Sequence, residues 1–210
     1  MTTVRDISQT LSAALPVWPG DTRFQAERTW TYGPDCPVNV AAFRLSTHSG
    51  THADAPLHYD PDGAAIAEVD LSAYVGRARV VDARWCGGVV TTAVVEAALA
   101  EPVARLLFRT VSRFPHDCWS SSFTVLAPDA VRLMGARGVM LVGIDTPSVD
   151  PQDSRTLDAH RAVCEADMRI LEGLVLDDVA AGDYELIALP LKLAGLDASP
   201  VRAVLRDLAR

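Results

Sequence analysis

Residues 48–58 read HSGTHADAPLH and contain three of the five histidines of the 210-residue chain, together with one carboxylate. A helix is disfavoured here because Gly50 and Pro56 both oppose it, so we expect an extended backbone. An extended chain turns alternate side chains toward the same side. The four potential metal ligands of the segment occupy even-numbered positions and should therefore share a side: His48, His52, Asp54 and His58.

This spacing and this choice of residues predict a metal site. A straight strand would place the Cα atoms of His48 and His52 about 13 Å apart, so the chain must bend between them, and Gly50 permits the bend. Neutral imidazole with carboxylate suits a borderline divalent ion such as zinc, whereas an all-oxygen set would indicate magnesium or calcium. If three protein ligands bind a four-coordinate ion, the fourth position is left for water. The alternative is a set of buried structural histidines, which is costly without a cation.

The composition indicates an ordinary globular protein with one domain over residues 1–210. Hydrophobic residues make up 49% of the chain and charged residues 22%, which excludes the disordered, collagenous and disulfide-rich classes. The formal net charge is -8, so there is no basic field to attract nucleic acid or anionic lipid. We therefore expect no nucleic-acid partner and no membrane partner.

The cysteines and the first residues of the chain favour a cytoplasmic protein. The four cysteines form no Cys-x-x-Cys pair, so the sequence predicts neither a thiolate zinc site nor a disulfide framework. The apolar stretch at 11–18 is interrupted by Pro16 and is too short to span a bilayer. We expect no targeting segment.

Helix and strand signals alternate along the chain, which predicts an α/β or α+β domain. Two prolines make 15–21 an ordered loop that carries Trp18. The apolar spacing after Ser199 and Pro200 is helical. Capping residues, prolines and periodicity place the main elements as follows: helices at 91–99, 128–136 and 157–166, and strands at 38–45, 79–83, 106–110, 139–144, 170–176 and 184–193.

The 48–58 segment resembles the His-x-Gly-Thr-His-x-Asp-x-Pro-x-His signature of the metal-dependent cyclase-like hydrolases, and every fixed position of that signature is present. Within this family the chain is most similar to the bacterial kynurenine formamidases, or arylformamidases. The similarity covers most of the chain and is looser between residues 60 and 140. The further segments that carry it are 16–21, 145–151, 157–160, 170–174 and 186–205.

The resemblance implies two zinc ions per subunit, held by residues far apart in the sequence. His48, His52 and Asp54 would hold the first ion. His160 would belong to the second ion. Asp54 and Glu172 would bridge the two.

The resemblance also implies the reaction. Such an enzyme hydrolyses N-formyl-L-kynurenine to L-kynurenine and formate in tryptophan degradation, with water activated by the metal as the nucleophile and His58 as the general acid/base. Trp18 would line the substrate pocket and stack on the aniline ring. Arg109 or Lys192 are candidates for binding the amino acid end of the substrate. No Gly-x-Ser-x-Gly elbow occurs, which argues against a serine-hydrolase route.

Two alternatives remain open at this stage. One is a related cyclic-amide hydrolase, such as an isatin hydrolase, with manganese as a possible ion. The other is a metal-binding protein without catalysis.

The fold that the resemblance implies is α/β, with a curved, barrel-like mixed β-sheet flanked by helices in the swivelling β/β/α arrangement, and the assembly is a homodimer. On this fold a closing strand should follow Pro200 as far as Val204, against the helical spacing. The last few residues are expected to be helical or frayed.

Overall fold

A curled sheet dominates the computed structural model, which describes residues 3–208. Within that range the helices are α1 Thr92–Ala98, α2 Pro128–Ala136 and α3 Asp158–Glu165, with short 3-10 turns at Pro56–His58 and Leu71–Tyr74. The strands, in chain order, are β1 Val4–Asp6, β2 Gln25–Trp30, β3 Val40–Arg44, β4 His52–Asp54, β5 Val75–Asp82, β6 Val89–Val90, β7 Arg105–Arg109, β8 Val125–Leu126, β9 Leu141–Ile144, β10 Arg169–Glu172, β11 Gly182–Ile187, β12 Ala198–Pro200 and β13 Val204–Asp207.

The main sheet is mixed, with a parallel centre and antiparallel flanks. Its nine strands, all within residues 3–208, run in the order β1-β13-β11-β5-β7-β9-β10-β4-β12. Strands β5, β7, β9 and β10 are parallel to their neighbours at the centre, whereas β4, β11, β12, β13 and β1 pair in antiparallel fashion. The predicted α/β fold with a curved mixed sheet and flanking helices is confirmed.

Alternate side chains of the central strands enter two hydrophobic cores, one on each face of the sheet. Leu106 and Phe108 of β7 pack in the core that holds the three helices, whereas Leu107 between them belongs to the opposite core. This alternation follows from the two-residue period of a strand. Both faces of the central strands are therefore buried, as is usual for parallel strands. The helices cover one of the two faces.

The helices lie close to their predicted positions. Helix α2 has the predicted bounds, and Pro128 occupies its first turn, where a missing N–H costs nothing. Helices α1 and α3 begin and end within one residue of the predicted limits. Local sequence signals suffice for these elements because caps and prolines act within one turn.

The C-terminal prediction is wrong in two respects. The strand after Pro200 is interrupted, because 201–203 form no regular structure, and the residues after Val204 are not helical but belong to β13. Strand β13 pairs with both β1 and β11, so hydrogen bonds to distant strands outweigh the helical spacing. The predicted strands at 170–176 and 184–193 are shorter, ending at Glu172 and Ile187. Residues 209–210 lie outside the described range.

The β2–β3 hairpin stands apart from the main sheet and leaves large apolar side chains exposed. Trp30 is 57% exposed and Phe43 is 65% exposed. No helix in the part of the chain that the structure describes is long and apolar enough to cross a membrane.

Candidate metal centre and its cavity

Strand register brings the first group of ligand candidates together. Strand β4 runs antiparallel to β10, and Glu172 lies directly opposite His52 in this pair. Asp54 is two residues further along β4, so its side chain points to the same face as His52. A histidine and two carboxylates from two distant parts of the sequence therefore meet on one surface of the sheet.

The 48–58 segment bends as predicted but is extended over only part of its length. Gly50 adopts a φ of 67°, a left-handed conformation that suits glycine. After β4 the chain enters the 3-10 turn, in which Pro56 fixes the first φ and the His58 amide donates to the Ala55 carbonyl at 2.9 Å. The expectation of one continuous extended segment is wrong for this reason. The turn returns the His58 ring to within 4.2 Å of the His48 ring, between centroids.

One group of donor atoms surrounds the first oxygen of Asp54. His48 Nδ1 lies 3.1 Å from Asp54 Oδ1, and His52 Nε2 lies 3.5 Å from the same oxygen. His52 Nε2 is also 3.3 Å from Glu172 Oε2. Zinc bonded tetrahedrally at about 2.0–2.1 Å separates its ligands by about 3.3 Å, which matches these distances.

A second group faces the other oxygens of the same two carboxylates. His160, in the first turn of α3, places Nε2 3.5 Å from Asp54 Oδ2 and 3.7 Å from Glu172 Oε1. The Val149 amide donates to Glu172 Oε1 at 2.8 Å and orients that carboxylate. Asp54 and Glu172 thus each present one carboxylate oxygen to the first group and the other oxygen to the second group. This arrangement suits carboxylates that bridge two ions.

Each of the three histidines in these groups has an acceptor behind it. The far ring nitrogen lies 2.9 Å from the Gly50 carbonyl in His52 and 2.7 Å from Asp150 in His160. For His48 the acceptor is Asp197, at 3.0 Å. An N–H donated from the far nitrogen makes the near nitrogen the one that can bind a metal and fixes the plane of the ring, as second-shell partners of metal-bound histidines do.

Sequence reasoning missed both Asp150 and Asp197. They lie in the segments 145–151 and 186–205 that carry the family resemblance, yet no local pattern relates either residue to a histidine. Asp150 accepts hydrogen bonds from the Ala159 and His160 amides at 3.0 Å, so it caps α3 from a distance and aligns the ring of His160. Asp197 is positioned by the pairing of β12 with β4 and lies 3.6 Å from His58 Nδ1 as well.

Unpartnered buried atoms mark the position that a cation would fill. Both oxygens of Asp54 and the Nε2 of His52 are buried and lack a hydrogen-bond partner among the described residues. Such atoms are expensive unless a ligand satisfies them. Imidazole and carboxylate donors at these distances fit a divalent metal ion, and the three histidines and two acids belong to potential metal-binding groups or face them.

The electrostatics of the cluster favour positive charge. Burial opposes protonation of His48, but the Asp54 and Asp197 carboxylates outweigh it and raise the pKa of His48 to about 9. Burial likewise opposes protonation of His160, whose pKa is nevertheless raised to about 10, chiefly by Asp150 and Asp54. For His58, burial is the main cause of a pKa below the usual value. A site that binds protons this strongly also attracts cations.

A cavity of about 750 Å³ opens above the cluster. Its lining includes His48, His52, His58, His160 and Glu172, and also Trp18 from the predicted loop. Trp18 makes an edge-to-face contact with Trp119, with ring centroids 5.4 Å apart. Such an aromatic wall beside polar groups is typical of sites for small aromatic ligands. The structure thus brings the seven residues predicted to bind metal, transfer the proton or stack on the substrate to one cavity or directly beneath it, whereas Arg109 and Lys192 do not line that cavity.

We expect Gly173→Ala to weaken metal binding. Gly173 has a φ of 64°, and a Cβ there would lie 2.6 Å from the Gly50 carbonyl oxygen, the acceptor of His52. Displacing that oxygen should lower metal affinity at least about tenfold, measured by competition with a chelator. Gly138→Ala is the matched control, because Gly138 also has a positive φ but has no atom near the added Cβ. Equal affinities of both variants would contradict the role of the Gly50 carbonyl.

Comparison with known proteins shows which family and which solved structures the chain resembles. A family model described as putative cyclase matches residues 5–151. A solved structure of a potential metal-dependent hydrolase with cyclase activity is 29% identical, with 100% of both chains covered and a TM-score of 0.85. A predicted metal-dependent hydrolase from Bacillus stearothermophilus is 29% identical, with 99% of this chain and 100% of that one covered and a TM-score of 0.85.

The isatin hydrolase A of Labrenzia aggregata, bound to benzyl benzoate, is 25% identical, with 99% of this chain and 94% of that one covered and a TM-score of 0.84. The chain belongs to the cyclase family. Within that family its fold is that of the structures described as metal-dependent hydrolases.

Proposed function

We propose that this protein is a metal-dependent arylformamidase that hydrolyses N-formyl-L-kynurenine to L-kynurenine and formate in tryptophan degradation. The observation that carries the proposal is the set of buried, unpartnered donor atoms of His52 and Asp54 at the base of a cavity walled by Trp18 and Trp119. A metal at that base would act on an amide whose aryl ring lies against the wall.

We further propose zinc as the metal, with two ions per subunit. His48, His52 and Asp54 would hold one ion and His160 the other, with Asp54 and Glu172 shared. The choice of zinc is supported by the mixed nitrogen and oxygen donors and by ligand separations close to tetrahedral edges. Ions bound here would supply a water-derived nucleophile near neutral pH and positive charge for the oxyanion that develops on the formyl oxygen.

His58 would move the proton that the reaction needs. Its side chain is 30% exposed at the cavity, while Nδ1 faces Asp197 at 3.6 Å, which leaves the other ring nitrogen free to face the substrate. That nitrogen takes a proton from the attacking water and delivers it to the amide nitrogen as the C–N bond breaks. The arylamine then leaves neutral, and formate is released.

The second candidate is hydrolysis of a cyclic amide, favoured by the likeness to isatin hydrolase A. Release of formate from N-formyl-L-kynurenine and ring opening of isatin, measured side by side on zinc-loaded and manganese-loaded protein, distinguish the two. We expect efficient formate release and slow ring opening. Ring opening without formate release would reject the formamidase proposal.

The bridging role of Glu172 predicts an unusually large loss of metal in the Glu172→Gln variant. One amide cannot supply two anionic oxygens, so elemental analysis should show the loss of more than one equivalent of metal per chain. Glu165→Gln, on the exposed side of α3, should retain the full metal content. An unchanged number of metal ions per chain in Glu172→Gln would show that this carboxylate does not bind the metal.

For Trp18→Ala we expect a rise in KM of about tenfold with a smaller change in kcat. The indole would contribute binding to the aryl ring in the ground state and in the transition state alike. Trp85→Ala is the control, because Trp85 is 71% exposed and does not line the cavity. A fall in kcat at constant KM would contradict a role limited to binding.

We also propose a homodimer. The exposed apolar side chains of the β2–β3 hairpin, Trp30 and Phe43 among them, support it, because an isolated two-stranded hairpin is at best marginally stable. Sedimentation velocity measures the assembly directly. The cytoplasmic location and the single domain over residues 1–210 stay predictions.

A further inference from the structure

We infer that Arg113 binds the carboxylate of the substrate and thereby selects aryl amides that carry an acidic side chain. The inference rests on the proposed function and adds a specificity residue to it. Arg113 lines the same cavity as the histidines and Trp18, and among residues 3–208 it is the only Lys or Arg in that lining. Its positive charge stands out in a chain whose formal net charge is -8.

The guanidinium of Arg113 has no partner within the part of the chain that the structure describes. It forms no salt bridge with any acidic side chain of residues 3–208, whereas eight other arginines of that range are paired with one. Asp145 also lines the cavity, but its carboxylate accepts hydrogen bonds from Thr110 Oγ1 at 2.6 Å and from the Val111 amide at 3.2 Å. The fork of N–H donors on Arg113 is therefore available to an incoming carboxylate.

The loop that carries Arg113 is held at both ends. On one side the Val111 amide is bound to Asp145, and on the other the Phe114 amide donates to Asp177 Oδ1 at 2.7 Å. Phe114 itself is buried. A fixed backbone reduces the entropy lost when the side chain binds, which favours a role in recognition.

Neither of the two cations suggested by the sequence is placed to do this. The Arg109 guanidinium donates to the carbonyls of Val111, Ser112 and Val179, at 3.3–3.4 Å, so it braces the loop. Lys192 is exposed and lies outside the cavity lining. The sequence alone could not show that Arg113 lies at the cavity in a position to bind the carboxylate and that Arg109 and Lys192 do not. The reason is that the cavity wall is assembled from distant segments.

The test compares N-formyl-L-kynurenine with its methyl ester, which keeps the formamide and the ammonium group but lacks the negative charge. In Arg113→Gln we expect KM for the acid to rise at least about tenfold and KM for the ester to change little. Arg113→Lys, which keeps the charge but loses the fork, should recover part of the effect. Arg137→Gln removes an exposed charge outside the cavity lining and should resemble the wild type for both substrates.

The outcomes separate this inference from the function on which it rests. If the wild type releases formate from both compounds and Arg113→Gln raises both KM values equally, Arg113 does not bind the carboxylate and the formamidase proposal stands. If the wild type releases formate from neither compound, the formamidase proposal fails and the inference fails with it.

Discussion

Removal of metal should abolish formate release, and addition of zinc should restore it. The residues at the base of the cavity can bind, orient and move a proton, but none of them converts water into a strong nucleophile at neutral pH. Lowering the pKa of water from 15.7 to about 7 is the contribution of a bound ion, and its loss should cost at least about 10³-fold in rate. The measurement is formate release after chelation and dialysis, and again after zinc is returned.

The control is the folded state of the metal-free protein, followed by circular dichroism. The two hydrophobic cores lie on the two faces of the sheet and do not require the ion, so the fold should persist. Calcium and magnesium prefer all-oxygen ligands and should restore little activity to a site rich in imidazole. Full activity in protein shown to be free of metal would overturn the mechanism.

His58→Ala should reduce kcat at least about 100-fold while metal content stays at the wild-type level. His58 differs from the other three histidines of the site, because its Nδ1 lies 3.6 Å from Asp197, whereas each of the others has an acceptor within 3.0 Å. Proton delivery to the leaving nitrogen is then lost, whereas the donors of His48, His52 and His160 remain. The measurement pairs steady-state formate release with elemental analysis of the same preparation.

His116→Ala is the matched control, since His116 lies on the 111–120 loop but does not line the cavity. It should behave as the wild type does. Loss of metal from His58→Ala would instead identify His58 as a metal ligand. This outcome is worth measuring because His58 lies close to Asp54 and His160. Unchanged activity with unchanged metal would show that His58 does not transfer the proton.

Local elements were predicted well where the signal acts within one turn. The proline at the start of α2 and the glycine after it fix both ends of that helix, and the apolar run at 139–144 contains β9. The end of the chain shows the opposite case. Residues 204–207 have helical spacing, but the edges of β1 and β11 offer backbone hydrogen bonds that a helix would leave unused.

Residues 48–58 by themselves disclose the donor chemistry, because four ligand-type side chains lie within eleven residues and a glycine lets the chain bend between them. The residues that complete the site are brought to this segment only by the folded structure. Glu172 meets His52 through strand register, His160 arrives on a helix capped by Asp150, and Asp197 follows from the pairing of β12. Register is the sum of many distant contacts, so no local pattern carries it, and the same is true of the wall on which Arg113 lies.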